Sequence, residues 1–169
     1  MLHEHKYMEK LYSPWRLDYI LGEKEGGCIF CNKPQADDDK GHLILKRGKL
    51  TFIIMNLYPY NNGHLMIVPF RHVDRLQELT DKELCELGTM TRLCERVLTE
   101  VYHPDGLNIG MNLGEAAGAG VADHLHIHVV PRWVGDTNFV STLGNTRVIP
   151  ENMEEAYKKL KKVFDTYES

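Results

Sequence analysis

The sequence predicts an α+β fold with a strand-rich core, two helices and no internal repeat. Three segments rich in β-branched and apolar residues are bounded by turn-forming residues, a pattern typical of short strands. An Asn- and Pro-containing turn at residues 57–62 joins the second segment to the third and favours an antiparallel connection. Further along, apolar residues recur at helical spacing. The strand candidates are residues 43–47, 50–56 and 63–69.

The two helices are indicated by their ends and by their apolar stripes. Thr80 begins the first, with Glu83 as the partner of a capping box, and Pro104 followed by Gly106 ends it. The second begins near Glu151 and reads as a docked surface helix rather than a membrane binder. Between them we expect a strand over 107–113 and a small-residue loop over 114–120. The stripes contain Leu84, Leu87, Thr91, Leu93, Cys94, Val97, Leu98 and Val101 in the first helix, and Met153, Tyr157, Leu160 and Phe164 in the second.

A row of histidines follows that loop, in the segment DHLHIHVVPRW at residues 123–133. On a strand, His124, His126 and His128 share one face, because successive side chains point to opposite sides. Histidine serves as nucleophile, proton carrier or metal ligand near neutral pH. Three in strict alternation therefore favour chemistry over a polar strand that contains histidine by chance.

Composition limits the classes of partner. The chain has 169 residues, of which 43% are hydrophobic, enough to bury a core without disulfides. A net charge of −4 argues against nucleic acid as a partner but allows a small anionic ligand at a local site. The first residues are charged and contain no apolar stretch suited to a signal peptide or a membrane span. We therefore expect a cytoplasmic protein that does not contact a membrane.

Cysteines supply a second candidate site. Cys28 and Cys31 form a CxxC pair, whose two thiolates can face one metal ion. A redox pair is the rival interpretation, but it requires a helix start in a βαβ pattern, which is missing here. Spacing alone leaves His72, His42, His64 and one member of the histidine row as candidates for the remaining ligands, and assigns no chemical role to Cys85 or Cys94.

The loop before the histidines suggests that phosphate is bound. Residues 112–120 read NLGEAAGAG, and such small side chains leave backbone amides open to an anion. A loop of this composition is usually only a tight turn. Here it leads directly into candidate nucleophiles.

These motifs together resemble those of the histidine triad (HIT) superfamily. HLHIHVVPRW matches its alternating histidine signature, and MNLYPYNNGHLMIVPFRHV and NLGEAAGAG match the segments before it. The arm SPWRLDYI and the extension PRWVGDTNF are most similar to the bacterial branch that includes diadenosine tetraphosphate phosphorylases. The resemblance implies a five-stranded antiparallel sheet with a long helix and a C-terminal helix, and pairing of two chains into a homodimer. It also implies one HIT domain over 1–169, with an arm at 1–27, a core at 28–133 and an extension at 134–169.

The resemblance also implies roles for individual residues. His126 becomes the nucleophile that attacks the α-phosphorus of a nucleotide, and His128 orients it and contacts phosphoryl oxygens. Asn112 and the amides of Gly118, Ala119 and Gly120 stabilise charge on the phosphate, and Asn56 binds ribose. His64 and Trp133 are added as substrate-contacting positions, with a purely structural role for His64 equally open.

In relatives with a CxxC pair the first histidine completes a structural zinc site, here Cys28, Cys31, His72 and His124. Such a closed shell leaves no open position, so the metal does not take part in the reaction. Relatives often have Gln, Ser or Thr where this chain has Gly120, which leaves open whether water or orthophosphate resolves the intermediate.

The expected function is therefore cleavage of dinucleoside polyphosphates by a phosphorylase or a hydrolase, without an organic cofactor. Hydrolysis of nucleoside phosphoramidates and AMP binding with little turnover are the alternatives.

Overall fold

The computed structural model describes residues 27–136 and 151–167. The predicted arm apart from Gly27, and all of residues 137–150, lie outside these residues, and the division into arm, core and extension stays a prediction. Among the described residues, no helix is both long and apolar enough to cross a membrane. The strands and α-helices of this part are α1 (Ile29–Asn32), β1 (Ile44–Arg47), β2 (Thr51–Met55), β3 (Leu65–Pro69), α2 (Asp81–Tyr102), β4 (Gly106–Gly110), β5 (Ile127–Arg132) and α3 (Met153–Phe164).

The strands form one antiparallel sheet in the order β1-β2-β3-β5-β4. The α+β class, the five strands and the two main helices are thereby confirmed. Strands β2 and β3 are buried along their whole length because they lie inside the sheet and are covered on both faces. Strand β4 forms one edge, and most of its residues are exposed.

The sheet has an inner face beneath the two long helices and an outer face beneath α1. Ile53, Ile67 and Val129 point inward, where they pack with α2 and α3 in the main core. The alternate residues Phe52 and Val68 point outward into a second cluster. That second cluster also includes Phe30, Ile44, Ile54 and Met66.

Helix α2 begins and ends as its sequence predicts. The Thr80 side chain accepts a hydrogen bond from the Glu83 amide, and the Glu83 carboxylate accepts one from the Thr80 amide. At the other end His103 adopts a left-handed conformation with φ 46°, directly before Pro104. Arg71 pairs with the buried Glu83 at 2.8 Å, which ties the loop after β3 to this helix start.

The histidine row differs from the prediction in one respect: β5 begins at Ile127, so His128 is the one histidine of the row within the strand. The preceding residues pair elsewhere, since the Leu125 amide donates to the Val73 carbonyl and the His124 carbonyl accepts from a histidine ring. The expected strand over 107–113 also ends early, at Gly110. The pairing of β4 with β5 ends at the pair Gly110–His128.

Gly63, which lies before His64, is required by local geometry. Its φ is +71°, a conformation that side chains rarely adopt, and a Cβ there would lie 2.8 Å from the Tyr102 ring. The turn that delivers His64 therefore packs directly against the end of α2.

Candidate active site and metal site

Four histidines line the outer face of the sheet where β3 and β5 meet. Three of these rings are in contact: the centroids of His64 and His128 are 5.1 Å apart, and those of His128 and His126 are 4.7 Å apart. Beyond His126 lies His124, which faces the cysteines. His64, His124 and His126 are at most 4% exposed, so these imidazoles belong to a site with little surrounding water.

The tautomer of His126 follows from its hydrogen bond. Its Nδ1 lies 2.8 Å from the His124 carbonyl oxygen, and a carbonyl oxygen only accepts. Nδ1 therefore carries the proton, and in the neutral ring Nε2 has a free electron pair. Burial lowers the pKa of His126, although the bond to the carbonyl acts in the opposite direction. The ring is thus a neutral imidazole with a nucleophilic Nε2.

His64 determines the tautomer of His128. The Nδ1 of His64 accepts from the Tyr60 amide at 3.1 Å and lies 3.3 Å from the side-chain nitrogen of Asn56. Its proton is therefore on Nε2, which lies 2.9 Å from Nδ1 of His128. His128 accepts there and carries its own proton on Nε2. The result is a neutral N–H donor beside His126.

Burial keeps this pair uncharged. It lowers the pKa of His64 to about 3, with smaller contributions from His128 and His126. It lowers the pKa of His128 to about 4, helped by the neighbouring His126. Neither ring is a charged imidazolium at neutral pH.

The second group joins Cys28, Cys31, His72 and His124, whose ligand atoms all lie within 4.8 Å of one another. The Sγ of Cys28 is 3.2 Å from Nδ1 of His124, and the Sγ of Cys31 is 3.3 Å from Nδ1 of His72. Tetrahedral zinc with two sulfur and two nitrogen ligands requires sulfur-to-nitrogen separations of about 3.6 Å. The donor set and its spacing thus fit zinc. His42 is not part of this group.

The hydrogen bonds around these ligands also suit a metal. Nε2 of His124 donates to the Pro69 carbonyl at 3.0 Å, which leaves Nδ1 facing the thiols. Burial, together with Cys28, raises the pKa of the Cys31 thiol to about 11. A cation is therefore needed to hold Cys31 as a thiolate at neutral pH.

The loop before the histidines contributes fewer donors than expected. The Gly118 amide donates to the Glu115 carbonyl at 2.9 Å within a short 3₁₀ turn, so the turn already uses it. The amides of Ala119 and Gly120 form no hydrogen bond with other described residues. Asn112 reaches across this loop, and its side-chain nitrogen lies 3.4 Å from the Gly118 carbonyl.

Two further candidate residues, Asn56 and Trp133, lie at different distances from the histidines. Asn56 lies beside His64, and its side-chain oxygen accepts from the Tyr58 amide. Trp133 follows β5 and packs edge-on against Tyr102, with ring centroids 6.5 Å apart. It lies five residues beyond His128, about 16 Å along a strand. The structure thus brings Asn56, but not Trp133, to the histidines.

Two aromatic residues at the site were missed by sequence reasoning. Phe30, between the two cysteines, packs against His126 with ring centroids 5.1 Å apart. Tyr60 is 41% exposed and packs against His64 at 4.7 Å. Phe30 lies within the CxxC motif and Tyr60 within the PYNNGH turn, but in both motifs only the neighbouring residues were considered as candidates.

An antiparallel sheet with a row of histidines on one face agrees with the fold that the histidine triad resemblance implies. A family profile described as HIT domain matches residues 39–134, more than half of the chain. The AP-4-A phosphorylase of Mycobacterium tuberculosis is 41% identical over 162 residues, which cover 90% of this chain and 83% of that protein. The chain therefore belongs to the HIT family.

Two further relatives extend the comparison. The bis(5'-nucleosyl)-tetraphosphatase [asymmetrical] of Schizosaccharomyces pombe is 38% identical over 96 residues, covering 57% of this chain and 52% of that enzyme. A crystal structure of a Zn-bound histidine triad family protein from Mycobacterium smegmatis aligns with a TM-score of 0.66 and 26% identity. That alignment covers 83% of this chain and 94% of the other.

Proposed function

We propose that this protein cleaves dinucleoside polyphosphates such as diadenosine tetraphosphate through a nucleotidyl-histidine intermediate. The observation that carries the proposal is the hydrogen bond of Nδ1 of His126 to the His124 carbonyl, which leaves Nε2 as a nucleophile. Nε2 bonds to the α-phosphorus, the bond to the bridging oxygen breaks, and ATP departs. The retained Nδ1 proton keeps the nucleotidyl imidazole cationic, so that it is a good leaving group for the second step.

The other residues act on the phosphate and the nucleoside. Nε2–H of His128 donates to an oxygen of the reacting phosphate. The Ala119 and Gly120 amides, with Asn112, stabilise its other oxygens, and Asn56 binds ribose hydroxyls. Trp133 is retained only as a more distant substrate contact, because it packs against Tyr102.

Orthophosphate is the acceptor that we favour for the second step. The similarity to the phosphorylase extends over 90% of this chain, whereas that to the tetraphosphatase extends over 57%. Attack by orthophosphate on the intermediate yields ADP, and attack by water yields AMP.

The test is to incubate the protein with diadenosine tetraphosphate, with and without orthophosphate, and to identify the nucleotides by chromatography. ADP plus ATP, formed only with phosphate, is the expected result. AMP plus ATP without phosphate replaces the phosphorylase with a hydrolase, and no cleavage overturns the proposal and directs the search to phosphoramidates. The His126→Ala variant should bind AMP but lose turnover, and retained turnover would refute the role of His126.

We also propose that Cys28, Cys31, His72 and His124 hold a structural zinc ion. A metal with four protein ligands has no open position for substrate, so it stabilises the fold around the site. Metal analysis of freshly reduced protein should give one zinc per chain, and a metal-free folded protein would refute the site.

The remaining proposals concern assembly and location. We propose a homodimer, supported by the exposed edge strand β4 and its 47% exposed Ile109. Sedimentation should give a dimer for the wild type and a smaller species for Ile109→Asp. A cytoplasmic location is supported by the four free cysteines, which suit a reducing compartment.

A further inference from the structure

The residue between the two cysteines connects the metal site to the nucleophile. Phe30 lies on α1 and is 2% exposed. Its ring is T-shaped against His124, with centroids 5.5 Å apart, and tilted by 53° against His126, with centroids 5.1 Å apart. One side chain therefore contacts both a metal ligand and the proposed nucleophile.

Helix α1 has little stability of its own. It has four residues, its N-cap side chain makes no capping hydrogen bond, and the Cys31 and Asn32 amides donate to the Cys28 carbonyl. An isolated turn of this length does not persist in water. The packing of Phe30 and the contacts of the two cysteines with His72 and His124 are therefore important for its position.

The ring of His126 needs more than its single hydrogen bond. The bond from Nδ1 to the His124 carbonyl fixes one atom of the ring but allows the ring to tilt about it. Phe30 packs on the ring at 5.1 Å and His128 at 4.7 Å, and these contacts restrict the tilt. The direction of the Nε2 electron pair therefore depends on Phe30.

We propose that Phe30 is a positioning residue for His126, so that a metal held by Cys28, Cys31, His72 and His124 orders the nucleophile as well as the fold. A metal bound there would fix the two cysteines, which flank Phe30 on α1, and would thereby keep the Phe30 ring against the imidazole. This inference rests on the proposed function, because it assumes that His126 is the nucleophile. It makes the metal site a determinant of the chemical step although the metal does not touch substrate.

The first experiment compares two substitutions in the same helical turn at full zinc content. Phe30→Leu keeps an apolar side chain of similar size but removes the flat ring, a change that cores tolerate well. Ile29→Ala alters the adjacent residue, which is 37% exposed, and serves as the matched control. Rapid-quench measurement of the first turnover gives the rate at which the nucleotidyl-enzyme forms, and steady-state assays give KM.

The expected result is that Phe30→Leu slows formation of the intermediate by about tenfold or more while KM changes little, since small misplacement of reacting groups is costly. Ile29→Ala should match the wild type. A Phe30 that merely fills the core would lower the melting temperature of Phe30→Leu and leave the rate of the chemical step unchanged. That outcome would overturn the proposal.

The second experiment does not depend on turnover. In ¹⁵N-histidine-labelled wild type, the ring signals of His126 should report the Nδ1–H tautomer and the shielding by the Phe30 ring. Removing zinc with a chelator should shift or broaden these signals towards those of zinc-loaded Phe30→Leu, and adding zinc back should restore them. Unchanged His126 signals in folded metal-free protein would refute the coupling. If the metal-free protein unfolds, the comparison of the His126 ring signals in zinc-loaded Phe30→Leu and zinc-loaded wild type decides the question, and identical signals refute the role of Phe30.

The two proposals fail in different ways. If the wild type never forms a nucleotidyl-enzyme, the proposed function is wrong, whatever the spectra show. If the wild type forms it normally and Phe30→Leu forms it as fast with unchanged His126 signals, only the role of Phe30 is wrong.

Discussion

The hydrogen bond from His64 to His128 should contribute to catalysis by fixing which nitrogen of His128 donates. In His64→Phe a ring remains, but Nδ1 of His128 loses the donor that lies 2.9 Å away. His128 must then bury an unsatisfied nitrogen or move its proton to Nδ1, and the second choice removes the donor that faces the phosphate. Leaving such a buried group unpaired costs about 1–3 kcal/mol. That energy corresponds to a loss of about 5- to 150-fold in kcat.

The matched variant is His64→Gln, whose terminal amide can place an N–H near the position of the imidazole Nε2. We expect His64→Gln to retain more of kcat than His64→Phe, with KM similar in both variants. Steady-state kinetics on diadenosine tetraphosphate measures both quantities. Equal kcat values for the two variants, or a change confined to KM, would show that His64 only fills space.

Two further predictions concern stability. His64 and His128 are neutral in the fold but bind protons in the unfolded chain below pH 6.5, so the free energy of unfolding should fall from about pH 6.5 towards pH 4. The free energy of unfolding should change by at most about 1.4 kcal/mol per pH unit for each histidine. In His64→Phe the midpoint of urea unfolding should therefore depend less steeply on pH than in the wild type, and equal dependence in the two proteins would contradict this. Gly63→Ala should destabilise the protein by more than about 1 kcal/mol, because of its positive φ and the Tyr102 ring. Gly88→Ala, where nothing lies within 4 Å of the new Cβ, should be neutral or stabilising, and equal effects of the two glycine substitutions would refute the reasoning.

The fold could be predicted largely from local signals. The capping box at Thr80 marks the start of α2, and Pro104 followed by Gly106 marks its end, because both signals depend on neighbours within a few residues. The limits of β4 and β5 could not be predicted in this way. They depend on which backbone groups find partners, and Leu125 finds Val73 instead of a neighbouring strand.

The metal group shows a different limit. Spacing left His42, His64 and His72 open as ligands, and the family resemblance pointed to His72. In the structure His72 lies beside Cys31, while His64 faces His128. Distances of this kind are set by the packing of the sheet, because the contact between Cys31 and His72 spans 41 residues of sequence.

The alternating histidines could be found from the sequence, and the family resemblance suggested separate roles for them, but the proton position on each ring could not be predicted because it depends on one hydrogen bond. His124 donates a hydrogen bond from Nε2 to the Pro69 carbonyl, so Nδ1 faces the thiols. His126 donates a hydrogen bond from Nδ1 to the His124 carbonyl, so Nε2 keeps a free electron pair. His128 accepts at Nδ1 from His64, so Nε2–H becomes a donor. Two of the three partners lie 55 and 64 residues away, so identical side chains in a regular row acquire different proton positions only when the sheet is assembled.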